Sequence, residues 1–295
     1  MKKTENYSFQ TDSEIVNNEY NLSDNFLIEF NFDVSNEYCV IYFSSNDIYY
    51  PNDEVTFNEN ISVKNKYEWF GTRIAKGHKH IFIRDIKKQW YLGGINANIN
   101  SPQKLFNFLK TETSGYKTIF IGSSAGGFAS VIYGQLLHAE SIFTFNGQFE
   151  INSILKRSQE TTDPLVFRNQ FNEEVRPFYD TRTFIKNNKT INYFLSADSA
   201  WDLEQYDYIK DLIPNTIKFK SSIHGIPFFN YNLKKVINME VIDIKKMHGK
   251  FFSPLFFSIK TVGLKNTFLF EKNIVFYKIK EILFKVYSLC FQKIK

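Results

Sequence analysis

The chain has 295 residues, of which 43% are apolar and 18% aromatic, and its formal net charge is +5. This length suits one large α/β domain with a short appendage, or two small domains. The many aromatic residues exclude a disordered chain. The basic residues form no clustered stripe with a recognisable motif, so we expect no nucleic-acid partner.

The cysteine content and the apolar patterning restrict cofactors and location. The two cysteines, Cys39 and Cys290, form neither a metal-type spacing nor a disulfide framework. Residues 1–6 include basic residues but no apolar run follows them, and no stretch is apolar for long enough to cross a bilayer. We therefore predict a cytoplasmic protein that needs no metal ion and no organic cofactor.

Short apolar runs alternate with amphipathic segments along the chain, which is typical of a mostly parallel sheet with helices on both faces. One helix begins at Pro102, where Ser101 can act as N-cap, and ends at Gly115. Further helices are expected at residues 128–138, 200–209 and 230–238. Strands are expected at residues 26–32, 38–43, 80–85, 116–121, 141–145, 191–195 and 216–219.

The segment from Gly122 to Gly127 reads Gly-Ser-Ser-Ala-Gly-Gly and carries the clearest chemical signal. It matches the G-x-S-x-G pattern of α/β-hydrolases, with a predicted strand before it and a predicted helix after it. Gly122, Gly126 and Gly127 would give the space that a sharp, strained turn needs. The pattern predicts Ser124 as a nucleophile. The competing interpretation is a glycine-rich turn that binds phosphate.

A nucleophilic serine requires a base and a carboxylate that orients it, and in this fold they follow the serine in the order acid, then histidine. Two acids follow the strand at residues 191–195. We favour Asp202 and keep Asp198 as the alternative, although Asp198 could simply cap the next helix. His224 follows the strand at residues 216–219 and is the predicted base.

The oxyanion of an acyl-transfer intermediate requires two hydrogen-bond donors. The backbone amide of Ala125, which directly follows the nucleophile, is the first candidate. The second should come from the loop after the strand at residues 38–43, and the amide of Ser45 is our candidate.

Three motifs together resemble the α/β-hydrolase-like proteins of bacterial capsule and surface-polysaccharide loci. They are Gly122 to Phe128, the run Trp201-Asp202-Leu203-Glu204-Gln205, and His224-Gly225-Ile226-Pro227. The pair Trp90-Tyr91 before Gly93-Gly94 is similar to a further element of those proteins. A more distant likeness is to the accessory secretion component that modifies glycosylated adhesins.

The resemblance implies a serine acyl hydrolase or acyltransferase that acts on O-acyl groups of a glycan, with the triad Ser124, Asp202 and His224. One alternative is a non-catalytic scaffold of hydrolase fold within a polysaccharide-assembly or secretion complex. Such a scaffold would tolerate a broken triad. A lipase or thioesterase is a third hypothesis, and it predicts a deep apolar pocket.

The predicted organisation is a hydrolase domain over residues 1–245 and a basic amphipathic tail over residues 246–295. Residues 150–189 interrupt the alternation of strands and helices, and we interpret them as a candidate lid over the site. Residues 273–295 are predicted to form a helix with a broad apolar face. This helix could pack on the domain or on a partner protein, or attach peripherally to the inner face of an anionic membrane.

Overall fold

The computed structural model describes residues 8–269, which form an eight-stranded sheet in the order β1-β3-β2-β4-β5-β6-β7-β8. Strand β1 pairs antiparallel with β3, and every other neighbouring pair is parallel. The strands are β1 (Phe26–Phe30), β2 (Tyr38–Phe43), β3 (Lys79–Ile83), β4 (Lys117–Ser123), β5 (Ser141–Phe145), β6 (Ile191–Ser196), β7 (Ile217–Phe219) and β8 (Phe251–Phe252).

Helices connect the strands and cover both faces of the sheet. They are α1 (Phe9–Asp12), α2 (Glu14–Leu22), α3 (Glu54–Phe57), α4 (Pro102–Glu112), α5 (Ala125–Leu136), α6 (Ile154–Arg157), α7 (Pro164–Arg168), α8 (Ala200–Ile209), α9 (Leu233–Val236), α10 (Val241–Lys245) and α11 (Pro254–Val262). Helix α4 has Ser101 as its N-cap, whose hydroxyl accepts from the Lys104 amide at 3.2 Å, and Pro102 stands in its first turn.

Alternating residues of the strands build one apolar core on each face of the sheet. On β2, Ile41 points into the core that α4, α5 and α8 cover. Its neighbour Tyr42 points into the opposite core, which Trp69 and residues of α9 to α11 complete. Because the sheet is buried on both faces, its central strands read as nearly continuous apolar runs. The predicted fold class, an α/β-hydrolase-type sheet, is confirmed.

Some elements differ from the sequence-based expectation. Phe251–Phe252 pair with β7 as β8, and Phe257 of α11 is buried in the core, so the sheet extends beyond the boundary expected at residue 245. The helix expected at residues 230–238 is a 3₁₀ turn followed by the short α9. Across residues 8–269, none of the helices has the length and apolar character needed to cross a bilayer. The helix predicted at residues 273–295 lies outside the described residues.

Candidate active site

Ser124 lies on the sharp turn between β4 and α5. Its backbone angles are φ +52° and ψ −121°, a region that residues other than glycine rarely adopt. The Ser124 amide donates to the carbonyl of Phe145 at 3.0 Å, and the Ser124 carbonyl accepts from the Phe128 amide at 3.0 Å. Hydrogen bonds on both sides therefore hold the strained turn at the carboxyl edge of the parallel sheet.

The glycines of the turn allow backbone segments to approach closely. A Cβ atom on Gly122 would lie 2.1 Å from the carbonyl oxygen of Gly126, and one on Gly126 would lie 2.3 Å from that of Phe43. A Cβ atom on Gly127 would lie 2.7 Å from the Cα of Gly147. Backbone atoms occupy these places and cannot rotate away, so side chains at all three positions would distort the turn.

The structure brings Ser124, His224 and Asp202 into one hydrogen-bonded chain. His224 Nε2 lies 2.8 Å from Ser124 Oγ, and His224 Nδ1 lies 2.8 Å from Asp202 Oδ1. The Asp202 side chain is 2% exposed, whereas that of His224 is 41% exposed. The alternative acid Asp198 is exposed, and its backbone amide donates to the carbonyl of Ser221. Of the two predicted acids, only Asp202 contacts the histidine.

Two side chains at the ends of β5 and β6 hold the loop that carries His224. Asn146 Nδ2 donates to the carbonyl of Ile223 at 3.0 Å and to Ser196 Oγ at 2.8 Å, and Asn146 Oδ1 accepts from the Ser196 amide at 2.7 Å. The Ser196 hydroxyl also donates to the Ile223 carbonyl. Since Ile223 directly precedes His224, these bonds fix the histidine relative to the sheet.

The amide proposed as second oxyanion donor is already engaged in this structure. The Ser45 amide donates to the carboxylate of Glu68, and the Asp47 amide donates to Ser45 Oγ at 3.1 Å. The backbone amides of Asn46 and Ala125 have no acceptor among the described residues. Asn46 also lines the space around Ser124. The Ser45 amide is therefore not free in this structure, and the amide of its neighbour Asn46 becomes the candidate for the second donor.

Glu68 joins this loop to the nucleophile strand. Its carboxylate accepts from the Ser45 amide and, at 3.4 Å, from the hydroxyl of Ser123. The Glu68 residue is exposed and lines the smaller cavity beside Ser123 and Ser124. No local pattern marks Glu68 in the sequence, because its partners lie 23 and 55 residues away.

Ser124 and His224 lie where two cavities meet. The larger has a volume of about 610 Å³ and the smaller about 230 Å³. Polar and charged residues are the majority of those that line the larger cavity, but more of the surface that they present is apolar than polar. Residues 150–163 of the candidate lid supply one wall. Apolar side chains of the same segment, including Ile151 and Val166, pack against Phe128 of α5. In this structure the segment is a packed wall of the site.

The Trp90-Tyr91 element also reaches the site. Both residues have positive φ, +52° and +62°, and the buried carboxylate of Asp85 accepts from the amides of Gln89 and Tyr91, each at 2.8 Å. Burial raises the pKa of Asp85, and these amide bonds oppose the shift. Trp90 lines the larger cavity, and its indole N–H donates to Gln148. The strained turn therefore places Trp90 in the wall of the site.

Within residues 8–269, no group of three or more His, Cys, Asp or Glu side chains is arranged to hold a metal ion. Among these residues, the Ser124 hydroxyl has one side-chain partner, His224, which in turn contacts Asp202. Such a chain can transfer a proton from a hydroxyl and orient the base that takes it.

Known proteins resemble this chain in structure, but no match was found by sequence. No protein-family model matches the chain, and no curated protein matches its sequence. Similar solved structures include the capsule O-acetyltransferase of Neisseria meningitidis serogroup A, with 14% identity, coverage of 76% of this chain and 89% of that chain, and a TM-score of 0.47. An S-formylglutathione hydrolase from Agrobacterium tumefaciens has 11% identity, coverage of 75% and 89%, and a TM-score of 0.42.

The glycosylation-associated Gap123 complex of Streptococcus agalactiae is also similar, with 13% identity, coverage of 65% of this chain and 39% of that chain, and a TM-score of 0.42. These identities and TM-scores are too low to carry the chemistry of those proteins over to this chain, so its own residues must define its chemistry.

Proposed function

We propose that the protein is a serine-dependent acyl-transfer enzyme that removes or transfers O-acyl groups, such as O-acetyl groups, of a bacterial surface polysaccharide or related glycan. The observation that carries the proposal is the chain from Ser124 Oγ through His224 to Asp202, with both hydrogen bonds at 2.8 Å. A strained serine that faces a cavity and bonds to a carboxylate-oriented histidine has the geometry that activates a hydroxyl as nucleophile.

In the proposed reaction, His224 Nε2 takes the proton of Ser124 Oγ as that oxygen attacks the carbonyl carbon of the ester. The negative charge that develops on the carbonyl oxygen is stabilised by the free amides of Ala125 and Asn46. Asp202 holds the ring orientation and stabilises the imidazolium. The bond between the acyl carbon and the sugar oxygen then breaks, and His224 donates its proton to that oxygen, which leaves as a hydroxyl. The acyl group stays on Ser124 until water or a second hydroxyl accepts it.

The substrate class rests on the resemblance of the three motifs to capsule-locus proteins and on the hydrogen-bonding side chains among the lining residues of the larger cavity. Gln148, Ser153 and Gln205 are among the side chains that line it. A lipase or long-chain thioesterase would need a deep apolar pocket for its acyl chain. A scaffold without activity would have no need of the strained serine or of the buried Asp202.

The proposal is tested by assaying acetate release from O-acetylated polysaccharides and from 4-nitrophenyl acetate. We expect activity in the intact protein and its loss in Ser124→Ala and in His224→Ala. Ser153→Ala is the matched control, because Ser153 lines the same cavity without contacting His224. Activity that survives in Ser124→Ala, or a complete lack of activity on both ester classes, would refute the proposal.

A further inference from the structure

Trp201 is an exposed aromatic side chain beside the candidate base. It is 59% exposed, whereas the other two tryptophans, Trp69 and Trp90, are 3% and 6% exposed. Trp201 lines the larger cavity together with Ser124, and its ring centroid lies 6.3 Å from that of His224 at an interplanar angle of 47°. Because the ring lies in the wall of the cavity that holds Ser124, its exposed face is available for a ligand to stack on.

An ion pair lies in the same cavity wall. Both terminal nitrogens of the Arg157 guanidinium donate to the carboxylate of Glu204, and both side chains are largely exposed. Arg157 belongs to the candidate lid and Glu204 to α8, one turn beyond Trp201. Glu204 lies three residues after Trp201 on α8, and the pair and the indole line the same cavity. The N–H groups and carboxylate lone pairs that the two side chains do not use between themselves remain for a ligand.

The charge around this cavity restricts the ligand. Asp47, Glu150, Asp163 and Glu204 contribute four carboxylates to the lining, and Arg157 contributes the one guanidinium among the described lining residues. Such an excess of negative charge disfavours a phosphorylated or carboxylated ligand. An aromatic face beside paired donors and acceptors suits a pyranose ring, which has an apolar C–H face and hydroxyls at its edge.

We propose that Trp201 and the Arg157–Glu204 pair form a subsite for an uncharged sugar ring, which stacks on the indole so that its acyl ester reaches Ser124. This inference rests on the proposed function and adds to it the kind of sugar and the residues that select it. Trp201 acts in specificity, because its ring contacts the sugar and not the ester carbonyl.

The test compares two esters in the full-length protein, glucose pentaacetate and 4-nitrophenyl acetate. For Trp201→Ala, we expect the ratio of kcat/KM values, sugar ester over aryl ester, to fall about tenfold, equivalent to about 1.4 kcal/mol of differential binding. Trp201→Phe should recover much of the ratio. Leu203→Ala is the control, since Leu203 is a partly exposed residue of the same helix that does not line the cavity. Per-acetylated glucuronic acid, which adds a carboxylate to the same ring, should be a poorer substrate than the glucose ester.

Several results would overturn the subsite. A ratio that Trp201→Ala leaves unchanged would do so in either of two ways. If both kcat/KM values fall equally, Trp201 only supports its neighbour Asp202, and if neither value falls, no sugar contacts the indole. Activity on the aryl ester alone would also overturn it while leaving the proposed function in place. A separate binding readout is the protection of Trp201 fluorescence from acrylamide by glucose pentaacetate in Ser124→Ala. If that protection is seen in a protein whose parent form is inactive, the subsite stands and the proposed function fails.

Discussion

His224 Nδ1 lies 2.8 Å from Asp202 Oδ1, and this contact joins an exposed imidazole to a buried carboxylate. Asp202 stands in the first turn of α8, where the positive end of the helix favours a carboxylate. Its Oδ2 atom is buried without a hydrogen-bond partner among the described residues. The carboxylate is thus held in place by its single bond to the histidine and by the helix that carries it.

The two candidate acids can be separated by matched substitutions. Asp202→Asn should lower kcat on 4-nitrophenyl acetate by roughly 10³–10⁴-fold, because an amide favours the wrong tautomer of His224 and does not stabilise its charged form. The kcat of Asp198→Asn should stay close to that of the unchanged protein, since Asp198 is exposed and does not contact the histidine. A large loss in Asp198→Asn together with a small one in Asp202→Asn would contradict the assignment.

Asn146 should act as a positioning residue for His224. Asn146→Ala removes the bonds to Ser196 and Ile223, and we expect kcat to fall roughly 10–100-fold because the histidine loses its fixed position. The free energy of unfolding should also fall by about 1–3 kcal/mol.

Asn192→Ala is the control for this effect. Asn192 is also buried and also joins β6 to β5, through Ser141, but it lies at the opposite end of the strand. The substitution Asn192→Ala should lower the free energy of unfolding by a similar amount and leave kcat nearly unchanged. Equal effects of the two substitutions on kcat, measured at matched folded fraction, would show that Asn146 acts only through stability.

Gly126 should tolerate no side chain. Gly126→Ala places a Cβ atom 2.3 Å from the Phe43 carbonyl oxygen, and we expect the free energy of unfolding to fall by at least about 2 kcal/mol, with loss of activity. Gly71→Ala is the control, because no atom lies within 4 Å of a Cβ atom built there. Chemical denaturation of both variants measures the difference, and equal stabilities would contradict the packing of the turn.

Lys88 should make stability depend on pH. Its side chain is 4% exposed, its ammonium donates to Asn52 at 2.6 Å and to the Tyr49 carbonyl, and burial lowers its pKa to about 7. A lysine in the unfolded chain titrates near 10.4, so between about pH 7 and 10.4 the unfolded state binds a proton that the folded state does not. In this window the free energy of unfolding should rise with pH by up to about 1.4 kcal/mol per unit.

Lys88→Met should remove that rise, and urea unfolding at several pH values measures it. Lys110 is exposed, so in Lys110→Met the free energy of unfolding should rise with pH as it does in the unchanged protein. A slope that Lys88→Met leaves intact would mean that the ammonium is not desolvated in the folded state.

The sequence predicted the parts of the site that depend on chain order. The strand, turn and helix around Ser124 form a local pattern, and the order serine, acid, histidine indicated Asp202 and His224. Which amide of the loop at Ser45 is free could not be predicted, because the Ser45 amide is engaged by Glu68, which reaches it only in the folded chain. Strand β8 was missed because two phenylalanines are too short a run to mark a strand.

The exposure of Trp201 could not be predicted either. An aromatic residue in an amphipathic helix is normally expected to face the core. On α8 the core-facing positions are taken by Gln205 and Ile209, and Trp201 faces the cavity. Which face a helix buries is decided by its packing on the sheet, and this is a property of the whole fold.

The central claim is that Ser124 is an activated nucleophile, and labelling with a fluorophosphonate probe tests it most directly. The probe forms a covalent bond with a serine oxygen only where a base has activated the hydroxyl. We predict labelling of the intact protein on the peptide that contains Ser124, and no labelling in Ser124→Ala or His224→Ala. If the intact protein stays unlabelled under conditions where a known serine hydrolase reacts, or if Ser124→Ala is labelled equally well, the account is contradicted.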